Sequence, residues 1–121
     1  CQEHRLRAHV AVGNCDYWWI ADVRFCPQLA GVVLEEMPAF TLRGQQCLVI
    51  HGDRSRLLTT VISSGQYDYI FTGHTHAPAF WQEGRTRYLN PGAVIRSRHG
   101  PETVAVLDIE TGEHQWLPLE K

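Results

Sequence analysis

The chain has 121 residues, 44% of them hydrophobic and 20% charged, which suits one soluble globular domain with one core and excludes two. A formal charge of -2 offers no field to draw nucleic acid or an acidic membrane surface, and no apolar run reaches membrane-spanning length. Ten of the eleven cationic residues are arginines, Lys121 being the single lysine, which favours bidentate anion contacts. The first residue is Cys1 with no charged-then-apolar leader after it, which is read as a fragment or a processed product.

In chain order, the apolar run His9 to Val12 predicts a buried strand that turns at Gly13-Asn14. The stretch Tyr17 to Met37 fits neither period, and a helix around Trp19 to Phe25, stopped by Pro27, is the reading adopted for it. Ala39 to Leu42, Arg43-Gly44 and Gln45 to Ile50 read as a hairpin whose second strand is buried and ends on His51-Gly52. Asp53 is placed to cap a helix from Arg54 to Ser64, with Leu57, Leu58, Val61 and Ile62 on one face and Gly65 at the stop. Tyr67 to Phe71 is a β-rich run ending on Thr72-Gly73-His74. Phe80-Trp81, Arg87 to Leu89 and Thr103 to Ile109 supply further strands, and Thr111-Gly112 turns the last of them into Glu113 to Leu117.

Three apolar strands thus end on Gly-plus-polar clusters: Gly13-Asn14, His51-Gly52 and Gly73-His74. Ligands of α/β proteins bind beyond the carboxyl ends of strands, so these ends point to one composite site. His74-Thr75-His76 puts two imidazoles one residue apart, and on an extended segment both face the same side. Imidazole is the commonest neutral ligand for Zn, Mn, Fe and Ni. Taken alone, each feature has a plainer reading: a polar loop for His74 and His76, a structural strand-end residue for His51, a turn for Asn14. Cys1, Cys15, Cys26 and Cys47 form no Cys-x-x-Cys unit and sit in apolar surroundings, which favours reduced thiols and a cytoplasmic protein over a disulfide framework.

Four segments together resemble the calcineurin-like metallophosphoesterases, in their small bacterial and archaeal phosphodiesterase branch. They are Gly13-Asn14-Cys15-Asp16, Val49-Ile50-His51-Gly52, Phe71-Thr72-Gly73-His74-Thr75-His76 and Leu89-Asn90-Pro91-Gly92-Ala93, in the family's order. The resemblance implies an α/β fold of two mixed β-sheets packed as a sandwich with flanking helices. Residues 1–121 would be the C-terminal part of a single domain whose N-terminal strands lie outside this sequence.

By the same resemblance, Asn14, His51 and His74 would bind one ion of a dinuclear centre and His76 the other. Mn²⁺ is the expected metal, with Ni²⁺, Fe²⁺ or Zn²⁺ as alternatives. Cys15 would lie near the leaving group, where many relatives carry histidine, and Asn90-Pro91-Gly92 would shape a turn beneath the metal loops. Arg96 and Arg98 fall where a loop borders the cleft, so phosphate contact is one reading and surface solvation the other.

The family's opening Asp-x-His and the Gly-Asp that bridges both metals have no counterpart before Asn14, and Asp16 and Asp22 are misplaced to substitute. The implied function is therefore hydrolysis of a small phosphodiester or phosphomonoester by the complete protein, with this chain inactive alone. A homo-oligomer stays open. The alternatives are a non-catalytic protein-interaction scaffold, like the retromer subunit that shares the fold, and a mononuclear metal-binding domain built on His51, His74 and His76.

Overall fold

The computed structural model describes residues 8–11, 32–94 and 100–119. They contain nine strands and one helix. β1 (Ala8–Ala11) and β2 (Val32–Glu35) form a parallel pair. β3 (Ala39–Leu42), β4 (Gln45–Val49), β5 (Tyr69–Phe71), β6 (Ala79–Glu83) and β7 (Thr86–Asn90) form a mixed sheet in the order β3-β4-β5-β7-β6. β8 (Thr103–Leu107) and β9 (His114–Pro118) make an antiparallel hairpin, and α1 (Ser55–Ser63) joins β4 to β5.

The expected hairpin is present, with Leu42 opposite Gln45 across Arg43 (φ 50°) and Gly44 (φ 77°). Two successive positive φ values twist the turn in the same sense as its strands. β4, β5 and β7 are mutually parallel, and their register places Leu48, Ile70 and Tyr88 in one row. That row faces α1, whose Leu57, Leu58, Val61 and Ile62 close the core over it. Ile70 is wholly enclosed, a burial that contributes about 1.5–3 kcal/mol for a side chain of this size.

The opposite face of the sheet carries Tyr69, Phe71 and Arg87, and the remaining strands cover it. Tyr69 Oη donates to the carbonyl of Ile109 at 3.0 Å, and Phe80 stacks on His114 with ring centroids 3.8 Å apart. At the other end of the sheet His9 of β1 stacks on Phe40 of β3 at 4.1 Å. The helix therefore lies on one side of the sheet and the other strands on its far side, the layering of an α/β sandwich.

Two expectations change. Asp53 does not cap α1: Arg54 occupies the cap position, and no side-chain cap hydrogen bond is made there. Asp53 stands one residue too early to reach the first free amides of the helix. β2 is an addition to the expected elements: its apolar run Val32-Val33-Leu34, closed by Glu35, carries too few residues for either period to register inside Tyr17 to Met37. The helix expected around Trp19 to Phe25 lies outside the described residues. Among the described residues no helix is long and apolar enough to cross a membrane.

Candidate metal centre

The ladder between β4 and β5 continues past the strand ends. Ile50 N–H donates to Phe71 O at 2.9 Å, and Gly73 N–H donates to His51 O at 3.1 Å. Parallel pairing brings the two carboxyl-terminal loops out side by side, and each carries a histidine within three residues of its strand, His51 after Val49 and His74 after Phe71. The imidazoles of His51 and His74 meet edge to face, with centroids 5.0 Å apart and planes at 76°. His74 Nδ1 and His51 Nε2 are 3.2 Å apart, close enough for one to donate to the other.

The loop from Gly73 to His76 is tightly coiled rather than extended, which corrects the expectation drawn from its spacing. His74 has φ 64° and His76 has φ 62°, both left-handed values uncommon for residues with a Cβ. Thr75 N–H closes back on Gly73 O at 2.7 Å, so His74 is the centre of a three-residue turn of the rare, strained positive-φ kind. Strain of this sort concentrates where a loop is held for a purpose.

Below the loop, Asn90 ends β7 with its side chain fully buried. Its Nδ2 donates to Gly73 O at 2.9 Å and to Thr75 Oγ1 at 3.1 Å, while its Oδ1 accepts Gly92 N–H at 3.0 Å. The indole of Trp116 donates to Asn90 O at 3.0 Å, tying the β8–β9 hairpin to the same point. Gly92 (φ 85°) lets the chain turn where a Cβ would run into Thr103 Oγ1 and lie 3.1 Å from Pro78 Cγ. Thr72 Oγ1 donates to Tyr88 Oη at 2.6 Å, locking the end of β5 to β7.

Of the residues singled out in the sequence, the fold brings together His51 and His74, and it sets His76 two residues on in the same loop. Asn14, Cys15, Asp16, Asp22, Arg96 and Arg98 lie outside the described residues. Among the described residues no group of three His, Cys, Asp or Glu side chains gathers to hold a metal. The donor chemistry of the pair nevertheless suits one. At metal–imidazole bonds of about 2.0–2.1 Å, nitrogens 3.2 Å apart subtend about 100° at a shared ion.

The two N–H bonds from Asn90 to the histidine loop were missed in the sequence. Asn-Pro-Gly announced a turn, and Gly92 N–H to Asn90 Oδ1 is that turn. Nothing local says that the amide nitrogen reaches a loop 15 and 17 residues earlier.

Histidine-bearing loops beyond adjacent parallel strand ends stand at the carboxyl edge of the sheet, where α/β proteins as a class bind their ligands. The profile of the calcineurin-like phosphoesterase superfamily domain matches residues 2–112, and the chain belongs to that family. It is 27% identical over 88 residues to a phosphodiesterase of Methanocaldococcus jannaschii, covering 73% of this chain and 53% of that protein. The chain thus spans about half the length of this curated relative.

Among solved structures, an archaeal phosphodiesterase superposes with TM-score 0.78 at 23% identity, over 95% of this chain and 70% of its own. Vps29 of Entamoeba histolytica, solved with Zn²⁺, superposes with TM-score 0.57 at 16% identity, over 96% and 83% of the two chains. At such identities these superpositions show the shared fold.

Proposed function

We propose that the complete protein is a metal-dependent phosphodiesterase with a dinuclear centre, and that residues 1–121 are the C-terminal part of its single catalytic domain. The observation that carries this reading is the His51–His74 pair, two imidazole nitrogens 3.2 Å apart at neighbouring strand ends. Membership of the phosphoesterase superfamily and similarity to a protein named a phosphodiesterase support it. In this reading Asn14, His51 and His74 hold one cation and His76 the second, with Mn²⁺ expected and Ni²⁺, Fe²⁺ or Zn²⁺ as alternatives.

When bound, two divalent cations supply charge to neutralise phosphoryl oxygens and a stronger nucleophile from water. The chain's own residues do the rest. The turn around His74 aims its ring at His51, and the buried Asn90 steadies the loop beneath. Cys15, a weak proton donor, is assigned to the leaving-group side, so esters with good leaving groups are the preferred substrates. Arg96 and Arg98 are assigned to phosphate contact, a role that the guanidinium fork suits. The free, buried Cys47 suits a cytosolic setting.

The test is turnover of an activated aryl phosphodiester by the complete protein, with and without added Mn²⁺, alongside the number of metals bound per chain. Metal-dependent hydrolysis with two metals supports the reading. Two metals without turnover would point to the scaffold alternative, and one metal to the mononuclear one.

A further inference from the structure

We propose that Asn90 is the positioning residue of the histidine loop. Its carboxamide holds His74 and His76 in their left-handed backbone conformations and so sets how strongly the site takes a divalent cation. The cation clause rests on the function proposed above; the loop clause stands without it.

The hydrogen bonds bracket the two histidines. Asn90 Nδ2 donates to Gly73 O on one side of His74 and to Thr75 Oγ1 on the other. Thr75 Oγ1 in turn accepts Ala77 N–H at 3.3 Å, on the far side of His76. Both residues with unusual φ are therefore enclosed by bonds that begin at one amide group. That group cannot swing away. Its oxygen is engaged by Gly92 N–H, its own backbone carbonyl by Trp116, and its side chain is fully buried.

No other side chain supplies this pattern from the end of β7. Aspartate has the same shape and keeps the acceptor toward Gly92, but it lacks both donors and sets a carboxylate against Gly73 O. Glutamine is one methylene too long for a site already filled. Groups that orient ligand residues from behind typically alter metal affinity 10–100-fold when removed, and the Nδ2 bonds of Asn90 go to Gly73 O and Thr75 Oγ1, on either side of His74.

The experiment compares the complete wild-type protein with its Asn90→Asp, Thr75→Val and Thr75→Ser variants by amide hydrogen exchange and by Zn²⁺ calorimetry. In Asn90→Asp, Thr75 and Ala77 amides should exchange at least about tenfold faster while Gly92 stays protected, and the Zn²⁺ Kd should rise about 10–100-fold. Thr75→Val should weaken Zn²⁺ binding and Thr75→Ser should restore it, which decides the matter if Asn90→Asp loses Gly92 protection and fails to fold. Unchanged exchange at Thr75 and Ala77 with an unchanged Kd in Asn90→Asp would overturn the proposal, as would Thr75→Val binding like the wild type. A wild-type protein that takes no Zn²⁺ overturns its cation clause, and the exchange data still decide whether Asn90 holds the loop.

Discussion

The rings of His51 and His74 stand edge to face with Nε2 and Nδ1 3.2 Å apart, although 23 residues and a whole helix separate them in the chain. Parallel pairing of β4 with β5 makes this meeting obligatory. The register Val49 opposite Phe71 leaves Ile50 and His51 to run out beside Thr72 and Gly73, and the turn at His74 folds its ring back. A one-residue slip in that register would shift the strands by about 3.3 Å and turn every side chain of the slipped strand to the other face.

His74→Ala in the complete protein is expected to remove one metal equivalent and lower phosphodiester turnover by at least about 100-fold. Mass spectrometry of the dialysed protein reads the metal, and an aryl phosphodiester assay reads the rate. Unchanged metal stoichiometry would take His74 out of the centre.

Cys15→His is expected to leave metal content as it is and to raise the rate on poor leaving groups by about 10- to 100-fold. Imidazole gives up a proton near neutral pH, where a thiol does so weakly. A metal equivalent lost in Cys15→Ser would instead make the thiol a ligand.

Residues 1–121 alone are expected to show no turnover attributable to a dinuclear site. Among the described residues no three His, Cys, Asp or Glu side chains gather to hold a metal, and neutral imidazoles by themselves do not offset the repulsion of two cations. Mn²⁺ or Zn²⁺ titration with an assay alongside would test this. Hydrolysis that scales with two metals per chain would refute it.

Burial, with the Asp68 carboxylate adding to it, pushes the Cys47 thiol up from 9.0 to about 11. The folded chain keeps this proton over a range in which the unfolded chain has lost it. Its contribution is thus intact below about pH 9 and is lost as pH rises toward 11, by up to about 2–3 kcal/mol. Denaturant midpoints between pH 7.5 and 10.5 should fall more steeply for the wild type than for Cys47→Ala. Equal slopes would show that Cys47 titrates alike folded and unfolded.

Gly92→Ala is expected to destabilise the fold by about 2–4 kcal/mol, since it adds left-handed strain to a collision with Thr103 Oγ1. That hydroxyl donates to Pro91 O at 2.7 Å, so moving aside would break a bond as well. A chemical denaturation curve within about 0.5 kcal/mol of wild type would contradict this account.

Local information was enough for the hairpin at Arg43-Gly44, the apolar face of α1, and the strand ends that carry His51 and His74. Each depends on residues a few positions apart: turn glycines, a 3.6-residue period, an apolar run closed by a polar residue. The four motif segments also declared the family, because their order and spacing belong to the chain itself. What only the tertiary structure decided was the strand order β4-β5-β7, which sets His51 beside His74 and brings Asn90 beneath the loop that carries His74. Sheet order is chosen by which apolar rows bury against α1, a non-local competition that no window of sequence reports. The coiled shape of the His74–His76 loop came from the same source. Left to itself, a Gly-His-Thr-His segment avoids two positive φ values, and it takes them here where Asn90 and Thr75 hold it there.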